Sequence, residues 1–268
     1  MFSQTERVKG TFYEERPASE TLSVYLRSQE TLYDRIKNQQ IERLLAATVP
    51  DYTRVLEIGC GGGAWTHYFV SHGAQVTAVE KEHHLIAAAR LYLQQSGLPL
   101  ARVKFTCSDA LAMDVEEKFD LVFVKDVLEH VHEDGEFVRR LAMSLTPHGM
   151  IFFSTQNAWS LNYAVEGFYQ RYLRGNKDWM GWDPTHVRFY TYPRLKKLLQ
   201  AQELEPVRWI GTYHLPYRMC KMFGQGVLST VEATIGRWFH AGELIAGDRF
   251  PVNVLGWNIG VLAKRARA

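Results

Sequence analysis

The chain has 268 residues, 46% of them hydrophobic and 22% charged, a composition typical of one globular domain or one domain with a cap. Its formal net charge is only +2, which argues against a nucleic acid or another polyanion as partner. Three cysteines, a charged N-terminus and the lack of an apolar run of about 18 residues predict a cytoplasmic chain without disulfides or a membrane span.

Residues 1–50 are predicted to form a helical N-terminal cap. In the segment YDRIKNQQIERLL the apolar residues keep roughly helical spacing, and these residues are Tyr33, Ile36, Ile41, Leu44 and Leu45. We expect the main domain to occupy residues 51–268, which follow this cap.

Between residues 54 and 154, short apolar runs rich in β-branched residues alternate with helical patterns. The predicted strands are RVLEI, AQVTAV, RVKFTC, FDLVFV and GMIFFS, and the helices between them end in Gly or Pro-x-Gly. Strands that alternate with helices of 10–15 residues predict an α/β fold, a doubly wound parallel sheet with right-handed crossovers. Ligands of such sheets bind at the carboxyl ends of the strands, near the switch point.

The first predicted strand runs into the sequence LEIGCGGGAW, which places Gly59, Gly61 and Gly63 in a turn before a helix. Glycine permits positive φ angles and lets a ligand approach the backbone. The helix N-terminus offers free N–H groups to a polar ligand. The spacing Gly59-x-Gly61-x-x-Ala64 also matches the fingerprint of dinucleotide-binding proteins, so a dinucleotide stays possible at this point.

Carboxylates near the ends of three successive strands favour a different ligand. Glu57 stands two residues before the first glycine, where it would repel a pyrophosphate but attract an amino group. Glu80 ends the second strand and can accept hydrogen bonds from ribose hydroxyls. Asp109, or alternatively Asp114, follows the third strand and can accept from an exocyclic amine, unless Asp109 only caps a helix. Such a site suits an adenosine with a cationic amino-acid tail and no phosphates, which is S-adenosylmethionine.

With these motifs, residues 50–155 resemble the class I S-adenosylmethionine-dependent methyltransferases, especially the branch of ubiquinone-biosynthesis O-methyltransferases. The segments FDLVFVKDVLEHV, LTPHGMIFFSTQN and DPTHVRFYTYPRLKKLL are similar to motifs of that branch. The resemblance implies a Rossmann-like sheet of seven mostly parallel strands with the last strand antiparallel. It also implies S-adenosylmethionine as cofactor, S-adenosylhomocysteine as product, and cofactor contacts from Lys81, Lys125 and the backbone N–H of Ala110.

The segment KDVLEHVHEDGE follows the fourth predicted strand and lies at the expected mouth of the pocket. His130 is a candidate catalytic base there. An alternative is a divalent metal bound by side chains of this segment, namely Glu129, His130, His132 and Glu133. Nothing in their spacing fixes a ligand set, and a solvated acidic helix start explains the same residues, so we predict no metal site.

Residues 159–192 contain ten aromatic residues and follow the fifth strand, on the side where an acceptor would enter. They form either a small second core or an aromatic acceptor pocket. For the pocket we name as substrate-binding residues Trp159, Tyr163, Trp182 and Tyr190. His186, in the segment DPTHVRF, is the second candidate base.

Residues 212–252 form a predicted helical insert before the last strand. The insert is interpreted as a cap packed on the domain, as a lid or interfacial segment that gives peripheral membrane contact for a lipidic substrate, or as a dimer face. The sequence gives no further signal for an oligomeric state.

The function predicted from these features is O-methylation of a small-molecule acceptor, or of a lipid- or sugar-linked one. The methyl group would pass by in-line transfer, with His186 or His130 as base. The alternatives are N- or C-methylation of a small metabolite, an NAD-type oxidoreductase, and a methyltransferase-like binding module without activity. Nucleic acid is not expected as a substrate.

Overall fold

The structure is a computed structural model that describes residues 14–49, 52–112, 117–179, 181, 183, 185–215 and 225–266. The helices in chain order are α1 Ala18–Gln29, α2 Leu32–Thr48, α3 Ala64–Ser71, α4 His83–Gln95, α5 Asp134–Met143, α6 Leu161–Phe168, α7 Tyr192–Gln200 and α8 Gln225–Ala246. The strands are β1 Arg54–Ile58, β2 Gln75–Glu80, β3 Val103–Cys107, β4 Phe119–Lys125, β5 Leu145–Gln156, β6 Leu204–Thr212 and β7 Asn258–Arg265. Short 3₁₀ turns lie at Leu100–Arg102, Leu128–His130 and Val252–Val254, and a π turn at Tyr169–Leu173 continues α6.

The seven strands form one sheet in the order β3-β2-β1-β4-β5-β7-β6. Neighbours from β3 to β5 run parallel, whereas β7 is antiparallel to both β5 and β6. The predicted Rossmann-like, doubly wound sheet with an antiparallel last strand is therefore confirmed. All five strands predicted between residues 54 and 154 are present, and β5 begins four residues earlier than the predicted segment GMIFFS.

The strand order reverses between β1 and β4, which are hydrogen-bonded neighbours at the centre of the sheet. Both strands are buried on both faces, because helices cover each side, and this accounts for their nearly continuous apolar sequences. A crevice at the carboxyl ends of β1 and β4 follows from this topology, and the candidate site lies there.

Three helices begin at hydroxyl caps that the sequence supplies. The side chains of Thr31, Ser160 and Thr191 accept hydrogen bonds from the backbone N–H groups of Asp34, Tyr163 and Arg194 at the starts of α2, α6 and α7. Each bond satisfies one of the unpaired donors of a helix N-terminus. The chain directions at these helix starts are fixed by local sequence.

The N-terminal helices pack directly on the sheet. Leu44 and Leu45 of α2 lie in the same buried apolar cluster as Val55 of β1. Leu32 and Ile36 of α2 join a second cluster that contains Trp257, just before β7. Within the predicted N-terminal cap, the described residues contain the helices α1 and α2, and α2 shares its core with the residues that follow it.

The predicted insert at residues 212–252 contains helix α8, which packs against α2 and β6. Its residues 216–224 lie outside the described residues. The Glu243 carboxylate of α8 accepts hydrogen bonds from the backbone N–H groups of Tyr213 and His214 and so holds the helix to the end of β6. Across the described part of the chain, no helix has the length and apolar character needed to cross a membrane.

The packing of α2 predicts that this helix is required for stability. Leu45 is fully buried, so we expect Leu45→Ala to lower the free energy of unfolding by about 2–5 kcal/mol, since it leaves a cavity. Arg43→Ala, at an exposed position of the same helix, should change it by less than about 0.5 kcal/mol. Urea unfolding followed by circular dichroism measures both, and equal effects would show that α2 does not belong to the core.

Candidate cofactor and acceptor site

A cavity of about 600 Å³ opens at the carboxyl ends of β1, β2 and β4. One end is formed by the glycine turn after β1 and by the end of β2, and the other by the turn after β4 and by Asp183, Thr185 and His186. Its volume is in the range of small-molecule sites. The sequence-predicted site residues that line it are Gly59, Gly61, Glu80, Lys81, Asp109, Ala110, Lys125, His130 and His186.

The glycine turn has the backbone that its sequence predicts. Gly59 and Gly61 line the cavity with φ angles of +73° and +52°. A Cβ atom at Gly59 would lie 2.5 Å from a methyl group of Val127. Gly63, the third predicted glycine, does not line the cavity. It caps α3, and a Cβ there would lie 2.8 Å from that of Ala89 in α4, so this glycine lets α3 approach α4.

Glu80 binds the glycine turn and lines the cavity at the end of β2. Its Oε2 accepts a hydrogen bond of 3.0 Å from the N–H of Gly61, and its Oε1 accepts one of 2.8 Å from the N–H of Lys81. The side chain is largely buried, with 8% of the residue exposed. A carboxylate oxygen can accept more than one hydrogen bond, so Glu80 can hold the turn and still accept from ligand hydroxyls.

Glu57 lies behind the turn and does not line the cavity. It is 2% exposed, and Thr66 Oγ1 donates a hydrogen bond of 2.6 Å to its Oε2. Burial raises the pKa of Glu57 to about 8, and the nearby charge of Glu80 acts in the same direction. The expected direct contact with an amino group therefore stays a prediction, and any influence on a ligand in the cavity would act across the turn.

Tyr25 of α1 is a cavity residue that the motifs did not predict. Its ring covers the glycine turn so closely that a Cβ at Gly62 would lie 2.4 Å from Tyr25 Cδ1. Burial raises the pKa of its hydroxyl, so the side chain is neutral. Tyr25 is one of the buried residues of α1, so in the sequence it has the pattern of an ordinary core residue.

Asp109 and Ala110 lie in the cavity wall after β3. Asp109 Oδ1 accepts a hydrogen bond of 2.7 Å from the N–H of Leu111, so this carboxylate caps a turn, whereas the alternative interpretation expected it to cap a helix. The second carboxylate oxygen, Oδ2, takes no part in this hydrogen bond, so the predicted contact of Asp109 with the adenine amine stays a prediction. Asp114, the other candidate, lies outside the described residues.

Lys125 and Asp126 form the floor of the cavity after β4. Asp126, with a φ of +56°, is bound by two ammonium groups, that of Lys37 from α2 at 2.5 Å and that of Lys125 at 3.2 Å. These cations keep the pKa of Asp126 well below its usual range despite burial. Burial in turn lowers the pKa of Lys125. The ammonium group of Lys125 is thus paired with Asp126, and its predicted cofactor contact stays a prediction.

Glu129, His130 and His186 meet at the other end of the cavity. The two imidazole rings lie 4.9 Å apart between centroids, and the Val187 N–H donates a hydrogen bond of 2.9 Å to the carbonyl of Glu129. Burial lowers the pKa of His130, so its ring is neutral at pH 7, whereas burial and the charge of Asp126 raise the pKa of Glu129. The fold therefore brings together both candidate bases, which are 56 residues apart in the sequence.

Three of the four aromatic residues predicted to bind the acceptor, Trp159, Tyr163 and Tyr190, do not line the cavity. Tyr190 is fully buried and donates a hydrogen bond of 2.8 Å to Asp134, while Tyr163 packs on Phe189. Trp159 is half exposed, and Trp182 lies outside the described residues. Tyr163 packs against a small second cluster that contains Trp179 and Phe189, as the alternative interpretation expected, whereas Tyr190 belongs to the main core of the sheet.

The residues of the metal site that the sequence offered as an alternative do not all line the cavity. His132 and Glu133 do not line the cavity, whereas Glu129 does. Trp257, which precedes β7, lines the cavity as well and had no motif to indicate it. His130, His186 and Trp257 thus bring three distant parts of the chain to the cavity.

Comparisons with known proteins agree with this geometry. A family described as "Methyltransferase domain" matches residues 27–208, more than half of the chain. The ubiquinone biosynthesis O-methyltransferase of Bradyrhizobium diazoefficiens is 34% identical over 169 residues, which cover 61% of this chain and 63% of that protein. The chain thus spans less than two thirds of the length of this relative.

Two solved structures share the fold. The N-methyltransferase NodS from Bradyrhizobium japonicum, in complex with S-adenosylhomocysteine, has a TM-score of 0.56 at 15% identity and covers 94% of this chain and 100% of its own. The magnesium protoporphyrin IX methyltransferase of Synechocystis has a TM-score of 0.59 at 15% identity and covers 88% of this chain and 86% of its own. The match to the methyltransferase family decides between the two interpretations of the glycine turn: the chain belongs to the class I S-adenosylmethionine-dependent methyltransferases.

Proposed function

We propose that the protein transfers a methyl group from S-adenosylmethionine to an oxygen atom of a small or lipid-linked acceptor. The observation that carries the proposal is one continuous cavity with the glycine turn and Glu80 at one end and two imidazoles at the other. The O-methyltransferase relatives support oxygen as the methylated atom. N-methylation stays the alternative, because NodS has the same fold.

Methyl transfer requires the protein mainly to align the acceptor with the methyl group of the cofactor. The sulfonium already activates the methyl group, so the site must place the acceptor in line with it and exclude water. In our proposal Glu80 accepts from the ribose hydroxyls and Asp109 from the adenine amine. A hydroxyl acceptor loses its proton on transfer, and in our proposal the neutral ring of His130, or the imidazole of His186, accepts it.

The first test is calorimetric titration of the protein with S-adenosylhomocysteine and with NAD. We expect saturable binding of the first and none of the second. Glu80→Ala should weaken S-adenosylhomocysteine binding by about 10–100-fold, since hydrogen bonds to a charged group contribute about 1.5–3 kcal/mol. Glu205→Ala, an exposed change on β6, is the control and should bind like the wild type. Binding of NAD alone, or wild-type affinity in Glu80→Ala, would contradict the assignment.

A second prediction follows from the buried carboxyl group of Glu57. Its pKa of about 8 means that it is protonated at pH 7. The ammonium group of a bound cofactor favours the ionised form, so binding should release a proton, and affinity should rise from about pH 6 to about pH 8. The measurement is calorimetry of S-adenosylhomocysteine binding in buffers with different ionisation enthalpies.

Glu57→Gln is the matched variant for this measurement, because its amide oxygen can still accept the hydrogen bond from Thr66. We expect Glu57→Gln to release fewer protons per bound S-adenosylhomocysteine than the wild type, and its affinity to depend less on pH. The same proton release in both proteins would assign it to another group and leave Glu57 a structural role.

An exposed apolar face favours a lipid-linked acceptor. Phe168, Tyr172 and Leu173, at the end of α6 and in the π turn, are 57%, 75% and 68% exposed. Residues 168–177 also carry three basic side chains and no acidic one. A solvent-facing apolar surface with adjacent positive charge suits the surface of an anionic bilayer, so we propose peripheral membrane contact here. The lipid contact that the sequence placed in residues 212–252 is thus proposed for residues 161–177 instead.

Co-sedimentation with phosphatidylglycerol vesicles tests this contact. We expect the wild-type protein to bind, and the double variant Phe168→Glu, Leu173→Glu to bind at least tenfold more weakly, because burial of a charge in the bilayer interface is costly. Met143→Glu, at a half-exposed apolar position of α5, is the control. Wild-type protein that stays in the supernatant would rule out this membrane contact.

A further inference from the structure

We propose that Lys125 and Gln156 bind the carboxylate of an acidic acceptor at the floor of the cavity. Lys125 pairs with Ser154 of β5 in the sheet, and Gln156, two residues further on, has its side chain on the same face of that strand. Both Lys125 and Gln156 line the cavity. That the carboxylate belongs to the acceptor rests on the proposed function, and it is an alternative to the cofactor contact that the resemblance implied for Lys125.

Two buried ammonium groups share one buried carboxylate at this floor. The Nζ atom of Lys37 lies 2.5 Å from Asp126 Oδ2, and that of Lys125 lies 3.2 Å from Asp126 Oδ2 as well. Asp126 Oδ1 accepts hydrogen bonds from Ser154 Oγ at 3.2 Å and from Asn258 Nδ2 at 2.9 Å. The carboxylate of Asp126 thus has both oxygens occupied, and it brings one negative charge to two cations.

Lys125 is the less completely paired of the two cations. Lys37 has a second carboxylate, that of Asp34, at 3.9 Å, whereas within the described part of the chain Lys125 forms an ion pair with Asp126 alone. Burial and the positive charge of Lys37 lower the pKa of Lys125. A buried ammonium group that shares its counter-ion is costly, so an anionic ligand group beside Lys125 is favourable.

The side chain of Gln156 is a second, independent indication of a ligand. The residue is 8% exposed, and its Oε1 is buried without a hydrogen-bond partner among the described residues. Its backbone is held in place, because it pairs with Asn258 of β7 and its carbonyl accepts a hydrogen bond of 3.0 Å from the N–H of Tyr190. An unpaired buried amide is costly, and such groups in native proteins commonly have a water molecule, an ion or a functional role.

The chemistry of these groups indicates a hydroxy acid with a planar body. One ammonium group and one amide N–H match the single charge and two oxygens of a carboxylate, whereas a phosphate has more acceptor oxygens and more charge. The amide oxygen of Gln156 can accept a hydrogen bond from a hydroxyl of the same ligand. Tyr33 and Trp257 line the cavity, belong to one apolar cluster and offer aromatic surface to a planar body.

An acidic acceptor also suits the cofactor, because its negative charge attracts the positive sulfonium. The carboxylate takes no part in the reaction. The hydroxyl of the acceptor forms the bond to the methyl carbon as the bond from carbon to sulfur breaks, and it gives its proton to the proposed base. Lys125 and Gln156 therefore act by binding and orienting the acceptor.

The test compares the ortho, meta and para isomers of hydroxybenzoate with the corresponding hydroxybenzamides, which have nearly the same shape and no charge. Calorimetry measures their binding to protein saturated with S-adenosylhomocysteine, so that the amino-acid tail of this ligand already occupies its own place. We expect at least one hydroxybenzoate to bind at least roughly tenfold more tightly than its amide, since hydrogen bonds to a charged group are the stronger ones.

Three variants connect this preference to the proposed residues. Gln156→Glu keeps the size of the side chain but places a second carboxylate beside the ligand, so it should weaken hydroxybenzoate binding at least roughly tenfold and leave hydroxybenzamide binding unchanged. Lys125→Gln should also remove the preference for the acid. Lys104→Gln removes the same charge from an exposed position of β3 and, as the matched control, should bind like the wild type.

Circular dichroism shows whether each variant is folded. A wild-type protein that binds no hydroxybenzoate, or that binds each one no more tightly than its amide, would overturn the proposal. Equal losses of acid and amide binding in folded Gln156→Glu, or a loss of acid binding in Lys104→Gln, would overturn it too.

Titration with S-adenosylhomocysteine alone identifies the source of the carboxylate. We expect Lys125→Gln and Gln156→Met to bind this ligand with wild-type affinity. A loss of at least roughly tenfold in either variant would assign the subsite to the amino-acid tail of the cofactor and overturn the acceptor assignment. A wild-type protein that binds hydroxybenzoate but not S-adenosylhomocysteine would keep the carboxylate subsite and reject the proposed function.

Discussion

The carboxylate of Glu80 holds the cofactor end of the site together. It ends β2, and its hydrogen bond to the N–H of Gly61 fixes the turn that follows β1. The ring of Tyr25 from helix α1 packs on this turn, which the hydrogen bonds from the N–H groups of Gly59 and Cys60 to the Val79 carbonyl also hold. Removal of the Glu80 carboxylate would therefore weaken the turn and also remove the proposed acceptor of the ligand hydroxyls, because both use the same two oxygens.

A second buried carboxylate organises the opposite end. Glu129 connects β4 to β5 through Thr155, and its carbonyl connects the same turn to residues 185–190 through Val187. Lys37 and Lys125 neutralise Asp126 between the two ends. The cavity thus contains a row of buried ionisable groups held by fixed hydrogen bonds and ion pairs. Its cations keep the pKa of Asp126 low, whereas burial raises the pKa of Glu129.

The sequence predicted the parts of the molecule that local rules control. The strand and helix periods, the glycine turn and the position of Glu80 at a strand end all follow from patterns within about 30 residues, and the sheet confirms them. Tyr25, Lys37 and Trp257 were not predicted as cavity residues, because their roles arise only when helices α1 and α2 and the start of β7 pack around the sheet. Tyr163 and Tyr190 were predicted as pocket residues but do not line the cavity, because an aromatic-rich segment has the same sequence pattern whether it lines a pocket or packs in a core.

The division between these two groups of residues has a functional meaning. Gly59, Gly61 and Glu80 lie within the region 27–208 that matches the methyltransferase family, as do His130 and His186. Tyr25 and Trp257, which the motifs did not predict, lie outside that region and also line the cavity. Resemblance to a relative that matches only three fifths of the chain therefore supports the type of reaction more strongly than the identity of the acceptor. In the proposed reaction the acceptor lies beside Glu129, His130 and His186, so these side chains would limit which acceptors can react.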